Sequence, residues 1–167
     1  DEDGNLLASS RHATQADDPA AIVDCVVDAV EELRSEHEFD AVGVVAPGLV
    51  AKNRSDVLFA GNLALREFPL GALVSDRLGL PVVVENDANA AGWGEFRFGS
   101  GRDTNDMVMI TVGTGLGGAL MLDGNLVRGW AGAAAEIGHM RMVPDGRACT
   151  CGHGGCWETY ASGTALV

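Results

Sequence analysis

Between residues 20 and 36, Ile22, Val26, Ala29, Val30 and Leu33 recur at helical spacing, with Pro19 near the entry and Asp17 or Asp18 available as a cap. The spacing predicts an amphipathic helix. The pattern changes at Ala41, where an apolar run through Ala46 stops at Pro47-Gly48, predicting a buried strand that ends in a tight turn. A second helix is predicted over Leu70–Leu78, bracketed by Pro69 and Gly79, and it leads into Pro81–Asn86, whose valines at 82, 83 and 84 form a second strand. Strand, helix and strand in that order predict an α/β sheet with at least one right-handed crossover.

A third helix is predicted over Asp87–Phe98, starting where the valine strand ends. The polar stretch from Gly99 to Asp106 breaks that pattern and predicts a domain boundary, with an N-terminal α/β domain over residues 1–102 and a second α/β domain starting at 103–167. Beyond it, Met107–Val112 is a predicted strand. Gly113–Gly118 is a hairpin-like glycine loop returning into Ala119–Leu122, and Asp123-Gly124-Asn125 is a further turn. Near the start, Leu6-Leu7-Ala8 is strand-like. The chain carries no internal repeat and no low-complexity tract.

The net charge of −13, with Lys52 the only lysine, opposes nucleic acid or an anionic membrane surface as a partner. No apolar run approaches the ~20 residues needed to cross a bilayer. The acidic start, Asp1-Glu2-Asp3, lacks the basic flank of a signal peptide, so the expected location is cytoplasmic. Of the four cysteines, Cys25 sits in a helical pattern and is expected to be a buried thiol, whereas Cys149, Cys151 and Cys156 crowd into eight residues.

That crowding, with His139 ten residues upstream of Cys149, predicts zinc. Three thiolates and one imidazole complete a tetrahedral shell with no open position, so the ion would be structural. Gly152, Gly154 and Gly155 allow the backbone to fold tightly around it. His153, inside the cysteine loop, is the competing fourth ligand.

A second constellation is Asn86-Asp87 at the carboxyl end of the valine strand, the edge at which α/β sheets bind ligands. Asp87 is placed either to take a proton from a substrate hydroxyl or to cap the helix that follows. The loop Gly113–Gly118 offers backbone amides to a phosphate or makes a plain tight hairpin; its spacing matches neither the P-loop nor a dinucleotide fingerprint. Glu136 and His139 lie three apart and would share a face on a helical turn, and Glu158 follows the last cysteine by two residues. An imidazole bound to metal through one nitrogen keeps the other for a substrate hydroxyl.

Taken together, these residues resemble the ROK family of bacterial sugar kinases and sugar-responsive repressors. The resemblance is carried by Glu136-Ile137-Gly138-His139, Pro144, Gly146, the cysteine loop, Glu158 and Ser162-Gly163, with Glu85–Ala91 and Gly113–Ala119 in the expected order. Within the family the chain is most similar to the actinobacterial glucokinase branch. The resemblance implies an actin-like, ribonuclease-H-like two-domain fold with a zinc-pinned loop and sugar in the cleft between the domains.

It also implies a role for each residue. Asp87 would be the general base for the sugar 6-hydroxyl; Asn86, Glu136, His139 and Glu158 would hold the other hydroxyls, and Gly48 and Asn62 would complete the pocket. Gly113, Thr114, Gly115 and Gly117 would meet the phosphates of ATP, bridged by Mg²⁺, and glucose leads over related hexoses as acceptor. ATP leads over polyphosphate as donor, a homodimer or homotetramer is expected, and a sugar-sensing repressor domain is the alternative function. The family's first phosphate loop and its C-terminal helices have no counterpart in this sequence, so the chain is expected to be a fragment with weak or no kinase activity by itself. Gly61 stands where relatives often carry proline, next to Asn62.

Overall fold

The first predicted helix forms as α1, Pro19–Arg34, in a computed structural model that describes residues 3–167. Asp1 and Glu2, part of the acidic start, lie outside the described residues. Asp18 caps α1, its Oδ1 accepting from the amides of Ala20 at 2.9 Å and Ala21 at 3.3 Å, which satisfies donors that the first turn leaves without an intrahelical partner. Ile22, Val23 and Val27 are its buried face.

The residues divide into two units, Asp1–Asp87 and Ala88–Val167. In the first unit, strand β1 (Val42–Ala46) pairs in parallel with β5 (Val82–Asn86), in the register Val44 to Val84 and Ala46 to Asn86. The connection between them carries a three-stranded antiparallel sheet, β2 (Leu49–Val50), β3 (Val57–Phe59) and β4 (Arg66–Phe68), and then helix α2 (Leu70–Leu78). The small sheet falls in a stretch for which periodicity predicts no element. Its strands are two or three residues long, too short to show an alternating pattern.

Helix α2 ends as its flanking residues predict, with Gly79 in the left-handed conformation at φ 66°. Arg34 of α1 donates to the Leu78 carbonyl at 3.1 Å, closing the end of α2. Val57, Leu65, Val74 and Val84 are fully buried at the centre of one apolar core that both helices and both sheets share. Leu6-Leu7-Ala8 does not form a strand. Leu6 is 83% and Leu7 68% exposed, and no β-ladder reaches them; a strand needs a neighbour for its backbone donors and acceptors, and short apolar sequence alone does not supply one.

Helix α3, Asp87–Phe98, starts at the last residue of the first unit. In the second unit it packs through buried Gly92, where a Cβ would collide with that of Ala119. Strands β6 (Met107–Val112), β7 (Leu116–Leu122) and β8 (Asn125–Leu126) form an antiparallel meander. Val112 faces Leu116, so only Gly113, Thr114 and Gly115 form the hairpin loop, while Gly117 and Gly118 lie in β7 opposite Thr111 and Ile110. The turn at Asp123-Gly124 follows, and the chain continues through a 3₁₀ turn (Ile137–His139), α4 (Glu158–Ala161) and a last 3₁₀ turn (Thr164–Leu166). No helix among the described residues is long and apolar enough to cross a membrane.

Candidate functional site

The parallel pairing of β1 with β5 delivers Asn86 and Asp87 to the carboxyl end of β5. Asn86 is buried, and its Nδ2 donates both to the Gly48 carbonyl at 2.9 Å and to Asp87 Oδ1 at 3.0 Å. Gly48 itself has φ +88°, and a Cβ there would collide with the Phe59 carbonyl, so only glycine fits this turn. Three predicted residues are therefore brought together, and the Asp87 carboxylate is exposed while its orientation is fixed from below. Asn62 is exposed in the bend between β3 and β4 and makes no hydrogen bond within the described residues.

In the second unit, Gly138 sets the Glu136–His139 turn flat on β7. A Cβ at Gly138 would collide with the Leu116 carbonyl, and one at Gly118 would lie 2.7 Å from the Ala135 carbonyl. Ala135, with φ 61°, turns the chain just before Glu136 in a conformation uncommon for non-glycine residues. Glu136 and His139 then bracket the 3₁₀ turn, His139 N–H donating to the Glu136 carbonyl at 3.1 Å, and residues three apart in such a turn lie on one side.

His139, Cys149, Cys151 and Cys156 converge, one ligand atom from each lying within 4.8 Å of all the others. His153 is outside this group, 3.7 Å from Cys151 alone. Cys151 and Cys156 sulfurs are 3.5 Å apart, and Cys149 Sγ is 3.5 Å from His139 Nδ1. A tetrahedron with metal–sulfur bonds of about 2.3 Å has sulfur–sulfur edges of about 3.8 Å, so the residues present fit a Cys₃His zinc shell.

The glycines make the fold of this loop possible: Gly152 and Gly155 have φ of +89° and +82°, and Gly155 packs on the Val143 carbonyl where a Cβ would collide with it. Burial pushes the Cys149 thiol up to about 12 and raises Cys156 as well, while a backbone hydrogen bond from His153 holds Cys151 down to about 6. Three sulfurs this close cannot all ionise without a cation among them.

Glu158 opens α4 beside the cluster. Its Oε1 accepts from Cys149 Sγ at 3.0 Å and stands 3.5 Å from His139 Nδ1, and a Cβ on Gly115 would lie 2.9 Å from its Oε2. One carboxylate thus touches the cysteine cluster on one side and the glycine hairpin on the other. A cavity of about 490 Å³ opens here, lined by Thr114, Gly115, Arg147, Cys149, Glu158 and Thr164 among others. Two contacts at its edge leave no local signature in the chain: Tyr160, whose hydroxyl accepts the Arg147 N–H at 2.8 Å, and Thr164, whose hydroxyl donates to the Thr114 carbonyl at 2.7 Å. The second spans fifty residues of chain, beyond the reach of any local pattern.

The family model of the ROK family matches residues 1–167. The chain belongs to the ROK family. It is 54% identical over its whole length to a glucokinase of Streptomyces coelicolor, covering 52% of that protein. A crystal structure of a ROK family glucokinase from Streptomyces griseus, in complex with glucose and AMPPNP, superposes with a TM-score of 0.90 at 51% identity over 99% of this chain and 53% of that one. A xylose repressor of Bacillus spizizenii is 31% identical over the whole chain and 44% of its own length. The fold is therefore the mixed α/β, actin-like fold of ROK sugar kinases. The chain spans about half the length of the relatives it matches.

Proposed function

We propose that the protein to which this chain belongs is an ATP-dependent hexose kinase of the glucokinase type, acting in the cytoplasm on the 6-hydroxyl of glucose. The observation that carries the reading is Asp87. It stands exposed at a strand end, fixed by a buried asparagine that is itself tied to the Gly48 carbonyl. A sugar sensor needs hydroxyl ligands but has no use for an oriented proton acceptor.

In this reading Asp87 takes the proton of the 6-hydroxyl as that oxygen attacks, and Asn86 orients both the carboxylate and the sugar. Glu136, His139 and Glu158 hold hydroxyls towards the anomeric end, with Gly48 and Asn62 as further contacts. The amides of the Gly113–Gly115 hairpin, with Gly117 behind them, meet the phosphates. Mg²⁺ bound with ATP would neutralise developing charge. Zinc on His139, Cys149, Cys151 and Cys156 would supply shape, since its shell leaves no position for substrate. With Nδ1 facing the sulfurs, His139 keeps Nε2 for a hydroxyl.

The repressor reading has the Bacillus spizizenii match in its favour. A coupled assay on the full-length protein with glucose, N-acetylmannosamine and fructose, offered ATP or polyphosphate, separates the two. ATP-dependent glucose 6-phosphate formation is expected; saturable sugar binding without turnover on any donor would overturn the kinase reading.

A further inference from the structure

Every carbonyl of the hairpin loop is occupied. Gly113 O accepts from the Gly163 N–H at 2.7 Å, Thr114 O from the Thr164 hydroxyl at 2.7 Å, and Gly115 O from the Gly113 N–H at 3.0 Å. The amides of Thr114 and Gly115 have no protein acceptor among the described residues, and both residues line the cavity of about 490 Å³. A three-residue loop with its acceptors tied back and two donors open to a cavity favours an anion, because an anion needs donors and is repelled by carbonyl oxygens.

The tie comes from outside the hairpin. Gly163 approaches so closely that a Cβ would lie 2.7 Å from Gly113 O, and Thr164 follows it into the last 3₁₀ turn. The geometry points to Thr164 as a positioning residue for the donor phosphates: its hydroxyl and the Gly163 amide clamp the hairpin so that the Thr114 and Gly115 amides face the triphosphate. This rests on the kinase reading and adds to it a residue that acts on the phosphates through the hairpin. If the clamp opened, the Thr114 carbonyl would be free to turn into the cavity and oppose the phosphates.

The test uses the full-length protein and two readouts, steady-state kinetics and calorimetric binding of a non-hydrolysable ATP analogue and of glucose. Thr164→Val removes the hydroxyl at nearly constant shape on an exposed residue. It is expected to raise KM for ATP and weaken the analogue about three- to tenfold, with glucose affinity unchanged. Thr164→Ser keeps the donor and should restore wild-type values, whereas Gly163→Ala, which pushes on Gly113 O by an independent route, should reproduce the nucleotide defect. Unaltered analogue binding in Thr164→Val, or a loss shared equally by glucose or by Thr164→Ser, overturns the clamp while leaving the kinase reading intact. A wild-type protein that binds no analogue sinks both together, which marks that failure apart.

Discussion

The strand end at Asn86-Asp87 and the cysteine loop are both built to hold polar side chains still, but by opposite means. Asn86 stands at the end of a parallel strand pair over a core in which Val57, Leu65, Val74 and Val84 are completely buried. From residue 141 to 167, by contrast, only Gly155, Cys156 and Ser162 are buried, and Met142 and Val143 are exposed. That loop is held by turns: Cys149 N–H to the His153 carbonyl at 2.8 Å, Gly152 N–H to the Cys149 carbonyl at 3.0 Å and Gly155 N–H to the Arg147 carbonyl at 2.8 Å. Exposed turn hydrogen bonds add little net stability, so a segment without an apolar core depends on a cross-link. Rigidity at the first site is spread over many side chains; at the second it is concentrated in four ligands.

The largest effect should follow from removing the metal, since structural zinc in small modules contributes about 10–16 kcal/mol of folding free energy. Elemental analysis is expected to find one zinc per chain. Chelation, or Cys156→Ser, should raise amide exchange across residues 139–162 by orders of magnitude and leave residues 82–98 protected. Because Glu158 Oε1 lies 3.0 Å from Cys149 and His139 is itself a ligand candidate, glucose affinity should fall in step. A chelated, still-folded sample that bound glucose like the untreated one would break the link between the loop and the sugar.

Next in size is Asp87→Asn, expected to lower turnover about 10²- to 10⁴-fold. Asparagine keeps an Oδ1 to accept the Asn86 Nδ2–H bond, so melting and glucose binding should hardly move. Turnover retained in this variant would remove Asp87 from the role of base and weaken the contrast between a site fixed for chemistry and a loop fixed for binding.

The same contrast decides what the amino-acid sequence makes legible. Long periodic elements such as α1, α2, β5 and α3 fall within two residues of their expected ends, because hydrophobic spacing and caps such as Gly79 are local. The cysteine cluster is equally visible, since one histidine and three cysteines in a short span have few other uses. Strands of two or three residues escape any period, which hides β2, β3 and β4, and Leu6-Leu7 has the composition of a strand without a partner. What joins the pieces is least visible. Glu158 against Gly115, and Thr164 on Thr114, pair residues 43 and 50 positions apart that only the fold brings together.

The smallest effect tests the distributed side of the comparison directly. Asp18 accepts two amide hydrogen bonds at the start of α1, and Asp18→Ala should cost about 1 kcal/mol. Helix α1 would stay docked, because Ile22, Val23 and Val27 remain buried in the shared core. For a unit of this size the loss corresponds to a melting midpoint lower by about 4–8 °C, readable by circular dichroism. Zinc content and exchange across residues 139–162 should match the unaltered protein. A graded loss of this kind, set beside the all-or-none response of the cysteine loop to chelation, is what distributed packing predicts. Complete unfolding of the first unit by one lost cap would instead mean that its rigidity, like the loop's, hangs on a few contacts.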